Sequence, residues 1–311
     1  MDALDIQIVR AMGIRPYERR PKDPDALKPG RIAEIVGVTP ETVKARLARM
    51  ESLGVIAGYK VVPNLRHLRR AGEAHWFEIP DDHRKDPAIA EIAATEGLLE
   101  VHDFLGKGLC VDFTFRDEKD REEKLARLAK NIGDEQPLKF YDREMPPVDR
   151  ELTHLDWCIL RALRWNAKRS LDEVAAEIGV TGRTVRRHYD RMAQEGSFFP
   201  VPLFNPSKAE GLFVFELQFF LEPGSPHDAL RGIVKAYNGN HVYAYIPSSA
   251  ELGNFDLTVF AKSTAEVEEL RRMGAALPGV ERTEAWFFRG LHDYSGWIDG
   301  EVDARVEASA P

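Results

Sequence analysis

Apolar positions recur at helical spacing in two separate parts of the chain. Leu4, Ile8 and Met12 fall at i, i+4 and i+8, as do Leu155, Ile159 and Leu163, and each triad predicts one buried helix face. A second helix is predicted around 31–36 and again over 171–178. Each stops at a glycine, Gly37 or Gly179, that can take the left-handed conformation a sharp turn needs. Thr39 and Thr181 then cap a third helix, with Pro40 at its first position in one copy. In that helix Val43, Leu47 and Met50 face inward, matched by Val185, Tyr189 and Met192, which leaves the opposite face in solvent. A helix, a short turn containing glycine and a capped second helix make a helix-turn-helix. A glycine and a short extended segment follow each copy, GVIAGYKVV (54–62) and GSFFPVPLF (196–204), and predict the wing of a winged helix.

Between and after these helices the period changes to two. Strands are predicted at 73–80, 98–105, 108–116 and 136–144, with helices at 86–96 and 118–133. In LCVDFTF, Leu109, Val111, Phe113 and Phe115 alternate with other residues, whereas Leu125, Leu128, Ala129 and Ile132 keep helical spacing. The second half has the same series: GLFVFELQFFLEP, a helix near 226–238, HVYAYIP, NFDLTVFAK, a helix at 264–276 and VERTEAWFF. The order βαββαβ folds as a ferredoxin-like sheet with both helices on one face. The other face must be covered, most simply by the twin unit. The expected fold is therefore α+β, two winged helix-turn-helix domains (1–70 and 149–208) alternating with two ferredoxin-like domains (71–148 and 209–298), then a polar tail at 299–311.

The halves are also related residue by residue. Setting 32–54 beside 174–196 pairs Ala33 with Ala175, Gly37 with Gly179, Thr39 with Thr181, Thr42 with Thr184, Arg49 with Arg191 and Met50 with Met192, without a gap. Upstream, LDIQIVRAM matches LDWCILRAL at a larger offset, because the first copy holds the polar loop GIRPYERRPKDPDALKPG. The 311 residues exceed one ordinary core. No apolar run of about 18 residues exists, and MDALDIQIVR lacks a signal-peptide core, so a cytoplasmic protein without membrane contact is expected. Cys110 and Cys158 form no metal or disulfide spacing and read as buried thiols.

Charge decides what the exposed helix faces are for. A net charge of −8 argues against a nucleic-acid partner unless cations are concentrated locally. They are: residues 31–70 hold eight Lys or Arg against three acids, and 161–191 hold eight against four. Double-stranded DNA is the expected partner. Lys44, Arg46 and Arg49, with Arg183, Arg186 and Arg187, are expected near phosphates or base edges. Glu41, Thr42, Arg183 and Thr184, at the helix N-termini, are expected at the bases, flanked by the caps Thr39 and Thr181. His188 replaces Arg46 in the repeat and is expected at phosphate or solvent. The nine histidines are scattered, and HExxH, Gly-x-Ser-x-Gly and P-loop spacings are missing, so no metal or cofactor is expected. Asp81 and Asp82 read as a solvated turn, and Trp286, Phe287 and Phe288 as sheet core.

The segments LDIQIVRAM, IAEIVGVTPETVKARLARMESLGVI, EGLLEVHDFLG, LDWCILRAL, GNFDLTVFAKS and LPGVERTEAWFF resemble the leucine-responsive regulatory protein/AsnC (feast/famine) family, in a tandem-duplicated form. The resemblance implies a DNA-binding transcription regulator that forms homo-oligomers through its βαββαβ domains and responds to a small effector such as an amino acid. It places that effector near a Gly-x-Tyr-Asp-type hairpin, matched here by Gly253, Asn254, Phe255 and Asp256; GKGLCVDF departs from the pattern in the first half. Siroheme decarboxylases, tetrapyrrole enzymes, resemble the same architecture. Their His-containing pocket segment has no match where GNFDL stands, so a non-enzyme is expected, and an oligomeric effector sensor without DNA binding is the third reading.

Overall fold

The computed structural model describes residues 1–13, 25–225, 227–244 and 253–310. Most of the predicted polar loop after Met12 and the end of the HVYAYIP strand lie outside the described residues. The chain divides into two compact units, each drawn from separated stretches.

One unit, comprising 7–71, 144–204 and 295–311, contains both winged helices. In the first, α1 (Ala3–Ala11), α2 (Pro29–Val36) and α3 (Pro40–Ser52) lead into β1 (Ile56–Pro63). Ile8, Val9, Met12, Ile32, Ala33, Val43, Leu47 and Met50 form its core. The second repeats the order with α6 (His154–Leu163), α7 (Leu171–Ile178), α8 (Gly182–Glu195) and β6 (Phe198–Phe204). Both turns use the predicted glycines, Gly37 at φ 77° and Gly179 at φ 73°. The predicted wings take a different form. β1 and β6 are single strands that pair antiparallel with each other, so each copy's extended segment supplies the other's backbone partner.

The expected polar tail is corrected to a helix, α11 (Trp297–Ala308). Its buried Ile298, Val302 and Val306 fall at i, i+4 and i+8, an apolar stripe that packs against α6. The hydrogen bond from Arg305 Nη1 to the His67 carbonyl (2.8 Å) and the Arg70–Glu301 ion pair (3.0 Å) fasten it further.

The other unit comprises 1–6, 72–143 and 205–294. It holds β2 (Ala71–Glu78), α4 (Lys85–Ile92), β3 (Leu98–Phe104), β4 (Gly108–Phe115), α5 (Glu118–Ile132) and β5 (Leu138–Asp142). The second series is β7 (Phe213–Leu221), α9 (His227–Ala236), β8 (His241–Ala244), β9 (Asn254–Ala261), α10 (Thr264–Ala275) and β10 (Val280–Asp293). The eight strands form one sheet in the order β5-β2-β4-β3-β10-β7-β9-β8. Each half alone reads 4-1-3-2, the ferredoxin-like order.

β10 joins the halves, because it runs five residues beyond the predicted VERTEAWFF. Its first part, Val280–Phe287, pairs with β7 and its remainder, Phe288–Asp293, with β3. Lys85 of α4, ion-paired to Asp103 (2.9 Å) and donating to the Gly106 carbonyl (2.6 Å), braces the seam, and Arg289 Nε meets Asp103 at 2.6 Å.

The sheet also curls. β2 and β10 are three strand spacings apart, about 14 Å if flat, yet Trp76 and Trp286 stack at 3.7 Å. Phe140 lies parallel to Trp286 at 5.7 Å, and Asn254 Nδ2 of β9 donates to the Lys139 carbonyl of β5 (3.1 Å). The helix-free faces of the two halves thus cover each other around Ala74, Phe104, Cys110, Phe140, Tyr141 and Phe288. Phe287 points the other way, into the helix-side core of Phe215, Leu217, Phe219, Leu230 and Tyr237.

Candidate nucleic-acid interface

Both recognition helices start the same way. The Thr42 amide donates to the Thr39 hydroxyl, and the Thr184 amide to that of Thr181 (3.2 Å each). The hydroxyls also bond within each pair, Thr39 to Thr42 at 3.0 Å and Thr181 to Thr184 at 2.9 Å. These four side chains therefore serve the helix starts. With Val43, Leu47 and Met50 buried, α3 turns Glu41, Lys44 and Arg49 to solvent, with Arg46 half-buried. With Val185, Tyr189 and Met192 buried, α8 presents Arg183, Arg186 and Arg187.

Among the described residues Lys44, Arg49, Arg183 and Arg187 make no ion pair, and Arg186 reaches only Asp190 on its own helix, at 3.9 Å. Exposed cations without carboxylate partners are available to phosphate oxygens at no cost in broken ion pairs.

His188 does not join them. Its Nδ1 lies 2.7 Å from Oδ1 of the fully buried Asp156 on α6, so the ring turns inward rather than to phosphate or solvent. Asp156 also takes the Thr153 amide (3.0 Å), Arg150 (2.8 Å) and Arg191 (3.3 Å). Burial alone would favour its neutral form. The Thr153 amide, His188 and Arg150 outweigh burial and hold the carboxyl at about 2.

Two consequences are measurable. Asp156→Asn strips charge from a hub that three basic side chains share, and is expected to cost about 2–3 kcal/mol in thermal or urea unfolding. Because the folded pKa is depressed, the carboxylate's contribution is complete above the unfolded value near 4 and is lost as pH falls through about 2. A wild-type unfolding profile flat across that acid window would contradict the assignment.

A second polar cluster lies on the helix-free face of β7 and β9. Asp256 stands opposite Gln218, and Thr258 opposite Glu216, in the strand register. All four are buried. Among the described residues neither the amide nitrogen nor the oxygen of Gln218 has a hydrogen-bond partner, nor does the Thr258 hydroxyl. Nearby, His102 Nδ1 approaches Glu216 at 3.3 Å. Burial works to discharge the ring, but hydrogen bonds and charge from Glu100 and Glu216 push its pKa up to about 9. A raised folded value contributes stability below the unfolded pKa near 6.5, lost as pH climbs through about 9.

Of the four hairpin residues expected at an effector, Asp256 belongs to this cluster, and Asn254, two residues before it on the same strand face, donates to the Lys139 carbonyl. Phe255 turns to the helix-side core, and Gly253 holds the turn at φ 67°. Glu216, Gln218, Thr258 and His102 were not foreseen. Their signal was present: in GLFVFELQFFL, Glu216 and Gln218 fall two apart in an apolar strand and share its second face.

Among the described residues no cluster of His, Cys, Asp or Glu is arranged to hold a metal, and no helix is long and apolar enough to cross a membrane.

The family of winged helix-turn-helix DNA-binding domains matches residues 152–196, which span α6, α7 and α8. No curated protein is detectably similar in sequence. Among solved structures, the siroheme decarboxylase NirDL is similar over 98% of this chain and 100% of its own, with TM-score 0.55 and 12% identity. NirDL in co-complex with an iron-uroporphyrin III analogue aligns over the same shares, with TM-score 0.54 and 13% identity. AsnC of E. coli aligns over 49% of this chain and 97% of its own, with TM-score 0.31 and 17% identity. The NirDL match corrects the expectation of a non-enzyme: the full-length fold, both winged helices and both βαββαβ units together, is one that a decarboxylase uses.

Proposed function

We propose that the chain is a sequence-specific DNA-binding regulator that reads duplex DNA with α3 and α8. The observation that carries this reading is the row of exposed cations on α8, Arg183, Arg186 and Arg187, of which only Arg186 meets a carboxylate, at 3.9 Å, in the segment that the winged helix-turn-helix family matches. Lys44, Arg49, Arg183, Arg186 and Arg187 meet phosphates or base edges, and Glu41 is the acidic reader of α3. His188 orients α8 through Asp156 and is left out of the contact face. Fluorescence anisotropy with genomic fragments should show binding at low salt that weakens steeply as salt rises. No binding at low salt would end this reading.

We further propose regulation by a small effector, which the cluster on β7 and β9 supports. A buried amide with no partner costs about 1–3 kcal/mol, and a polar ligand reaching Gln218, Thr258 and Asp256 recovers it. Gln218→Leu is accordingly expected to raise the stability of the unliganded protein by a similar amount. It should also abolish any thermal shift that wild type shows against an amino-acid panel. A uniformly null wild-type panel would reduce Asn254 and Asp256 to structural roles.

The full-length similarity to NirDL supports a second reading, tetrapyrrole decarboxylation in the ferredoxin-like unit. After incubation with an iron porphyrinoid and gel filtration, a shifted Soret band that elutes with the protein would favour it, and a band that elutes only with the free porphyrinoid would count against it.

A further inference from the structure

We propose that a single chain reads one asymmetric DNA site, with α3 and α8 on two unlike half-sites in fixed order. The proposal rests on the DNA-binding reading above and adds to it what each helix recognises.

The strand pairing supplies the geometry. Tyr59 lies opposite Pro202, and Lys60 opposite Val201. The repeat offset of 142 residues carries Tyr59 onto Val201 and Lys60 onto Pro202, so exchanging the copies leaves this pairing unchanged. A contact that maps onto itself is the signature of a two-fold relation. Here the two-fold is internal, and it relates the two winged helices of one chain. Helix-turn-helix pairs related in this way place their recognition helices on half-sites about one helical turn apart.

In a symmetric dimer those helices are identical and the operator is a palindrome. In this chain they differ where bases are read. Glu41 of α3 is replaced by Arg183 in α8, and Ala45 by Arg187, all four exposed. Arg46 is replaced by His188, which is withdrawn onto Asp156.

The helix starts have also diverged. Asp172 lies so close to Gly182 that a Cβ there would stand 2.2 Å from its Oδ1. The first copy has Pro40 in place of Gly182 and Gly30 in place of Asp172, and a Cβ on Gly30 would meet nothing within 4 Å. The second copy thus carries the Asp172 carboxylate beside the start of α8, where the first copy, with Gly30, carries no charge.

Chemistry then assigns the preferences. A glutamate accepts from the cytosine amino group, whereas an arginine donates to the guanine O6 and N7 edge. The α3 half-site is expected to carry a cytosine where the α8 half-site carries guanine.

Selection of sequences bound by the full chain from a random duplex pool tests this directly. Two unlike half-sites in fixed order support the proposal, and a perfect palindrome overturns it while leaving DNA binding intact. No enrichment at all removes the DNA-binding reading and this proposal with it, a result distinct from the palindrome. A second variant sharpens the test. Glu41→Arg with Ala45→Arg makes α3 match α8 at two exposed positions and should leave thermal unfolding unchanged. Its consensus is expected to shift toward an inverted repeat, with preference at the altered base pair changing roughly 10-fold or more. A consensus identical to wild type would refute the assignment of Glu41 and Arg183 as readers.

Discussion

Alanine in place of Arg183, Arg186 and Arg187 together is expected to weaken DNA binding roughly 100-fold at moderate salt and to lower the salt slope by about 2.7, near 0.9 for each phosphate no longer neutralised. The three side chains are exposed on one face of α8, opposite the buried Val185, Tyr189 and Met192. Their removal takes nothing from the core, so the unfolding temperature should stay close to wild type. Arg186 is included because its 3.9 Å pairing with Asp190 is a surface interaction of negligible strength and leaves the guanidinium free to swing to a phosphate. Salt titrations of anisotropy on wild type and variant give the comparison. A weaker affinity with an unchanged slope would mean that the arginines act on folding or on bases alone, and an unchanged affinity would move the interface elsewhere.

The ferredoxin-like unit carries the second large effect. Trp286→Ala should destabilise it by about 3–5 kcal/mol, because this one ring stacks on Trp76 at 3.7 Å and lies against Phe140 at 5.7 Å. These rings join the two halves across their helix-free faces, where Trp76 comes from the first half and Trp286 from the second. Denaturant unfolding followed by tryptophan fluorescence should report both the reduced stability and the broken stack. The conservative Trp286→Phe should recover much of the difference. If alanine costs under about 1 kcal/mol, the stack is incidental and the β3–β10 seam alone unites the halves.

The helices and most strands were legible because their patterns are local. The Thr39 and Thr181 caps, the left-handed Gly37 and Gly179, and the alternation in LCVDFTF each need only a few neighbouring residues. What was missed depends on partners distant in sequence. Nothing local in GVIAGYKVV says that its strand partner is GSFFPVPLF rather than a hairpin of its own. RGLHD after VERTEAWFF carries too little alternation to announce that it extends β10 onto β3. The tail failed for a different reason: Ile298, Val302 and Val306 are separated by Asp-Gly-Glu and Asp-Ala-Arg, so a mostly polar composition hid a correct helical spacing. At the candidate interface the exposed cations followed from helical period. His188 did not, since its direction is set by Asp156, 32 residues earlier. Gln218 and Thr258 required strand register, which only the paired sheet provides.

The placement of α11 bears on synthesis. The unit that holds both winged helices is assembled from 7–71, 144–204 and 295–311, and the α6 surface that faces α11 is covered only when Ile298, Val302 and Val306 arrive. A ribosome that has translated both recognition helices still holds a nascent chain with that α6 surface uncovered. Folding of the winged-helix unit is therefore coupled to translation of α11, and chains truncated before Trp297 are expected to leave that α6 surface exposed even though α3 and α8 have been made.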